Sequence, residues 1–269
     1  MKPADAAALI AATFVDARRR ASPVVAYPGT IPASLAAGYA IQDQAIGLNG
    51  GRIAGWKVGR IWPPRDQQFG CNRLAGPIFA SGVVAANGDA PLAMPVFVGG
   101  FGAVEAEFIF ALGEIDSKKS QYTLEDAAAA VASVHVGIEI ASSPLAVIND
   151  LGPAVTVSDF GNNHGLIVGP AIADWPTAGF DGWPIEVTID GASVGTGFAQ
   201  DFPDGTLGSV RFLLELLAAR GIAVPAGTLV SSGAITGVHP IATGQRAAAH
   251  FANRAVLQCT IVKAVPALF

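Results

Sequence analysis

The spacing of apolar and polar positions changes near residue 50. Before that point it is helical. Residues 4–20 place Leu9, Ile10 and Phe14 on one side. Residues 34–48 form a second helical stretch, stopped by Asn49-Gly50-Gly51. A Pro/Gly-rich connector from Pro23 to Pro32 joins the two. Beyond residue 51 the texture becomes short β segments punctuated by Gly and Pro. Strands are predicted at 52–58, 103–112, 134–141, 165–168, 185–190, 193–198, 228–232, 246–252 and 256–263. Two helices interrupt them, 124–133 and 206–220, the second closed by Gly221. Asp190-Gly191 has the composition of a hairpin turn that needs positive φ. The pattern predicts an α+β fold, with a helical N-terminal portion (1–50) leading into a β-rich body (51–269) that works as one unit.

Composition narrows the function classes. The chain has 269 residues, 51% hydrophobic and 14% charged, with a net charge of −5 at pH 7. An acidic chain whose longest basic run is Arg18-Arg19-Arg20 does not suit nucleic acid. No stretch reaches the roughly 18 uncharged apolar residues of a membrane span. The apolar run Ala6 to Val15 is flanked by Asp5 and Asp16, and its basic cluster follows it. That order is the reverse of a secretory signal and reads as an amphipathic helix. Two cysteines, Cys71 and Cys259, give no disulfide framework and suit a reducing compartment. A cytoplasmic protein is expected. Its mean hydropathy of +0.47 suggests apolar surface buried between copies, hence a homo-oligomer.

Against that sparsely charged background, one strand stands out. In the segment 103–112, Val104, Ala106, Phe108, Phe110 and Leu112 share one face, while Glu105 and Glu107 share the other. Adjacent carboxylates raise each other's pKa, and a divalent cation is the cheapest way to keep both ionised. Oxygen ligands favour a hard ion, Mg²⁺ or Mn²⁺. Glu139 is the candidate third ligand, opposite the apolar face of Val134, Val136, Ile138 and Ile140, with Gly137 leaving room beside it. The same alternation also fits three glutamates facing water from a half-exposed sheet.

Other residues are candidates with bland alternatives. Lys57, in Gly55-Trp56-Lys57-Val58-Gly59, suits a substrate anchor or an acid/base, or a snorkelling surface lysine. The cluster Ser158-Asp159-Phe160-Gly161-Asn162-Asn163-His164 is either a set of turn residues or a site loop. As a site loop it would put Asp159 near the metal and make His164 a proton carrier, with Asn162 and Asn163 structural. Ser232 and Gly233 offer a hydroxyl and backbone N–H groups to a substrate carboxylate, and Arg73 could meet a distal one. There is no Gly-x-Gly-x-x-Gly after a strand, no phosphate-binding loop and no nucleophile-elbow serine.

Taken in order, Tyr39-x-x-Gln42, Gly55-Trp56-Lys57-Val58-Gly59, Gly76-Pro77-Ile78-Phe79, Val104-Glu105-Ala106-Glu107, Glu139, Asp159…Asn162…Gly165-Leu166-Ile167-Val168-Gly169 and Ser232-Gly233-Ala234…Gly237 resemble the 2-keto-4-pentenoate hydratase group of the fumarylacetoacetate hydrolase superfamily. The resemblance runs from about residue 35 to the end. It implies a mixed β-sandwich or roll, Glu105, Glu107 and Glu139 as ligands of Mg²⁺ or Mn²⁺, and Lys57 as acid/base or anchor. It also implies a small 2-oxo acid substrate, most directly hydration of a 2-hydroxy-alka-2,4-dienoate in aromatic catabolism. The alternatives on the same scaffold are decarboxylation of a 2-oxo-3-enedioate, acylpyruvate C–C hydrolysis, or a non-catalytic partner subunit. The chain departs from the group between Gln68 and Gly76, where hydratases carry an acidic residue and only Asp66 is near. It departs again at the altered loop Asp159–His164.

Overall fold

The computed structural model describes residues 3–88 and 90–267. Its elements, in chain order, begin with α1 (Pro3–Arg19) and α2 (Leu35–Asn49). There follow β1 (Ile53–Arg60), α3 (Arg65–Phe69), β2 (Arg73–Phe79), β3 (Val83–Ala85), β4 (Leu92–Val96) and β5 (Phe101–Leu112). Next come α4 (Leu124–Ala129), β6 (Val131–Ser143), α5 (Pro153–Ser158), β7 (Asn163–Ala171), β8 (Ile185–Ile189) and β9 (Ala192–Gly197). The chain closes with α6 (Gly205–Ala219), β10 (Leu229–Ser231), β11 (His239–Pro240), β12 (Arg246–Phe251) and β13 (Ala255–Lys263). The fold is α+β, as the spacing predicts.

The strands make two curled sheets. The larger runs β2-β1-β10-β5-β6-β7-β3, with β11 also on β5, and the smaller runs β4-β13-β12-β8-β9. The spine is the long antiparallel pair β5 and β6, in register from Phe101 opposite Ser143. Phe108 and Phe110 on β5 and Val136 and Ile138 on β6 share one core with Val187, Phe251 and Leu257 of the smaller sheet. The apolar face read from the sequence is therefore the layer between the two sheets. The opposite face is also covered. α2, α5 and the turn Phe160–Asn162 pack over β2 and its neighbours, and a second core joins Ile10 and Phe14 of α1 to Ile41, Leu145, Val155 and Phe160.

Local rules hold at the caps and turns. Ser34 accepts from the Ala37 N–H at the start of α2, and Gly50 ends that helix at φ 69°. Asp190 and Gly191 both take positive φ, as the β8–β9 hairpin requires. The predicted helix 124–133 stops early, because Val131 already begins β6. Residues 131–133 extend a strand whose tertiary pairing outweighs local helical preference. Strands β2, β3, β4 and β11 and helices α3 and α5 are not anticipated.

Candidate metal centre

Register brings the three glutamates together. Glu105 lies directly opposite Glu139 across the β5–β6 pair, and Glu107 is opposite Gly137. One carboxylate oxygen from each lies within 4.8 Å of the others. All three side chains are buried, Glu107 and Glu139 completely. The solvent-facing alternative is thereby excluded. The space beside Gly137 is not open, since a Cβ there would lie 2.3 Å from Ile109 Cγ1.

Protein groups satisfy part of each carboxylate. Glu107 Oε2 accepts from the Ser231 hydroxyl and from the Gly233 N–H at 2.8 Å. Glu139 Oε1 accepts from Asn163 Nδ2 at 3.0 Å and faces Lys57 Nζ at 3.3 Å. Glu107 Oε1 and Glu139 Oε2 are buried with no hydrogen-bond partner. Buried acceptors of this kind call for a ligand. Burial and the neighbouring Glu139 charge outweigh Lys57 and push the Glu105 carboxyl up to about 7. Burial and both other glutamates push Glu107 well above the usual range. Burial works against the Lys57 ammonium, but Glu139, Glu105 and Glu107 outweigh it and raise its pKa. Three carboxylates and one ammonium sum to −2, the charge a divalent cation cancels. The triad, all hard oxygen donors with two unpaired oxygens, fits a divalent metal site.

Backbone approach makes this assembly local. A Cβ on Gly76 of β2 would fall 2.0 Å from the Phe160 carbonyl oxygen, and one on Gly161 would fall 3.1 Å from Lys57 Cδ. The glycines let the turn Phe160-Gly161-Asn162, all at positive φ, press against β2 and Lys57. That turn leads straight into Asn163, whose amide holds Glu139. Asn162 and Asn163 are thus at the site, although their composition suggested only a turn. The signal was the dense Asn/Gly run itself, since Asn tolerates the left-handed backbone.

A cavity of about 460 Å³ opens onto Lys57 and Glu105. Asn162, Thr156, Arg60, Trp62 and Arg65 line it. Several expected site residues are elsewhere. Asp159 faces away from the glutamates and pairs with Arg18, whose Nε lies 2.6 Å from Oδ1. His164 lines a separate cavity beside Arg18 and stacks on Phe97 at 4.3 Å between ring centroids. Burial and the Arg18 charge push its pKa down to about 3, so it is neutral and a poor proton donor. Arg73 is buried and donates to the Pro203 carbonyl, Ser209 and Asn72. With Ser232 and Gly233 it borders a small cavity behind β1. The Gly233 N–H serves Glu107 rather than a substrate.

No protein-family model matches the sequence, and no curated protein does. Solved structures do. The chain superimposes on 4-oxalocrotonate decarboxylase from Pseudomonas putida G7, complexed with calcium and acetate, with a TM-score of 0.78. That match has 20% identity over 96% of this chain and 98% of the other. Fumarylpyruvate hydrolase from Pseudomonas aeruginosa, in complex with Mn²⁺ and pyruvate, matches at a TM-score of 0.56. It shares 20% identity over 79% of this chain and 90% of the other. A fumarylacetoacetate hydrolase family protein from Yersinia pestis CO92 matches at 0.55, with 14% identity over 77% of this chain and 92% of its own. The chain shares its fold with these structures. Among the described residues no helix is long and apolar enough to cross a membrane.

Proposed function

We propose that this chain is a metal-dependent lyase acting on a 2-oxo acid, with Glu105, Glu107 and Glu139 holding Mg²⁺ or Mn²⁺. The bound cation would supply a Lewis acid that makes the 2-oxo group an electron sink. Lys57 supplies the proton. Its ammonium sits at the floor of the cavity beside Glu139, where a 2-oxo oxygen gaining charge would be neutralised. The walls Ile61, Leu74 and Pro153 keep the reacting carbons away from bulk water.

One observation separates the lyase reactions. Among the described residues lining the cavity, Lys57 is the one titratable side chain apart from Glu105 and the arginines. Hydration of a 2-hydroxydienoate needs one group to activate water and another to protonate carbon. Asp66, the nearest extra carboxylate in sequence, does not line the cavity. Decarboxylation of a 2-oxo-3-enedioate needs less. The C5–C6 bond breaks, CO₂ leaves, and the electron pair runs through the conjugated carbons to the 2-oxo oxygen, which takes a proton. With Glu105 committed to the metal, Lys57 is the one proton carrier left lining the cavity, which supports decarboxylation over hydration. The likeness to 4-oxalocrotonate decarboxylase over nearly both whole chains points the same way.

The test is to incubate the purified chain and Mg²⁺ with 2-oxo-3-hexenedioate and with 2-hydroxypenta-2,4-dienoate. The expected result is CO₂ release from the first, with a 2-hydroxydienoate as product. Loss of dienoate absorbance without CO₂ would make it a hydratase. Silence with both would overturn the lyase reading and favour a non-catalytic partner.

A further inference from the structure

Two arginines line the cavity, and they differ in what occupies them. Arg65 donates from Nη1 to the Asn149 carbonyl at 3.1 Å and from Nη2 to the Asp150 carbonyl at 2.9 Å. Its guanidinium is committed to holding the loop before α5. Arg60, at the end of β1, pairs through its backbone with Arg73, and its side chain has no hydrogen bond or ion pair among the described residues. It is half-buried, and its guanidinium carbon lies 3.7 Å from the centroid of the Trp62 ring. Trp62 is 61% exposed. A tryptophan left so far in water, stacked on one face of a guanidinium, leaves that plane's edge free for a flat anion.

There are 21 Asp and Glu against 16 Lys and Arg, yet no carboxylate meets Arg60. Arg18, Arg20, Arg211 and Arg220 each have an acidic partner, whereas Arg60 shares its lack of one with Arg65, the other arginine of the cavity, whose guanidinium is spent on carbonyls. Arg60 is three residues along the same strand from Lys57, and both line one cavity. The geometry points to Arg60, held flat by Trp62, as the residue that accepts a second carboxylate of the substrate and so selects dicarboxylic over monocarboxylic 2-oxo acids. This rests on the 2-oxo acid reading above. Bidentate hydrogen bonding to a carboxylate is what a stacked guanidinium offers and an ammonium does not. Arg60 is a specificity determinant, and it takes no part in proton transfer.

The experiment is calorimetric titration, with Mg²⁺ saturating, of two unreactive acids of equal length, 2-oxoadipate and 2-oxohexanoate. Wild type is expected to bind 2-oxoadipate at least tenfold more tightly. Arg60→Gln is expected to erase that preference while leaving 2-oxohexanoate binding unchanged, which also shows that the variant is folded. Arg60→Lys retains part of the preference, and Trp62→Ala weakens 2-oxoadipate by several-fold. Equal binding of the two acids by wild type, or a preference that survives in Arg60→Gln, overturns the role of Arg60 and leaves the lyase reading standing. Failure of both acids to bind in a Mg²⁺-dependent way overturns both.

Discussion

Glu107 and Glu139 each bury a carboxylate oxygen that nothing in the chain satisfies, and Lys57 is the one cation among them. Removing that cation is the sharpest residue-level change. Lys57→Met leaves three buried carboxylates uncompensated, and breaking a buried pair costs about 3–5 kcal/mol. Chemical denaturation of the metal-free variant is expected to show that loss, with turnover abolished even at saturating Mg²⁺. Asn163→Ala removes a hydrogen bond to a candidate ligand, Glu139. Outer-sphere partners of this kind are worth about 10–100-fold in metal affinity. A Mn²⁺ titration of the variant is expected to weaken within that range, and unchanged affinity would separate Asn163 from the site. At this scale the sequence was legible where chemistry breaks a pattern: three glutamates and a lysine in apolar strands. It was not legible for Arg18 or Asn163. Their roles come from partners far away in sequence, and nothing local distinguishes a buried arginine from a solvated one.

At the level of elements, the site depends on one backbone contact, between β2 and the left-handed turn Phe160–Asn162. Gly76→Ala would place a methyl 2.0 Å from the Phe160 carbonyl oxygen, far inside van der Waals contact, so the turn must move. The expected outcome is a loss of about 2–4 kcal/mol in denaturation and weaker Mn²⁺ binding together. Stability lost with metal affinity intact would show that the turn does not position Asn163. The long strands β5 and β6 and the helices with clean caps were readable because period and punctuation agree there. β2 was missed because Gly76-Pro77 looks like a turn, while pairing with β1 and the close approach of the turn make it a strand. α5 was missed because its six residues are all buried and show no amphipathic period.

The whole molecule inherits the cluster's electrostatics. Unfolded glutamates titrate near 4.5, whereas folded Glu105 is pushed up to about 7 and Glu107 is raised further. Between those pH values the native state holds protons that the unfolded chain has released, so metal-free stability is highest at low pH and declines as pH rises through 4.5 to 7. Thermal melts with chelator are expected to show Tm falling across that window. Saturating Mg²⁺ should flatten the fall, since a ligand at 100 times its Kd adds about 2.7 kcal/mol. The N-terminal helices pack on the β-rich body. Arg18 ties α1 to Asp159 and to the Ser142 and Asn163 carbonyls, the last beside the amide that holds Glu139. The most direct test of the metal centre is calorimetric titration of Mn²⁺ into the wild-type chain and Glu107→Gln at pH 8. The account predicts one site per chain in the wild type and none in the variant, which stays folded. Unchanged Mn²⁺ binding in Glu107→Gln would contradict it.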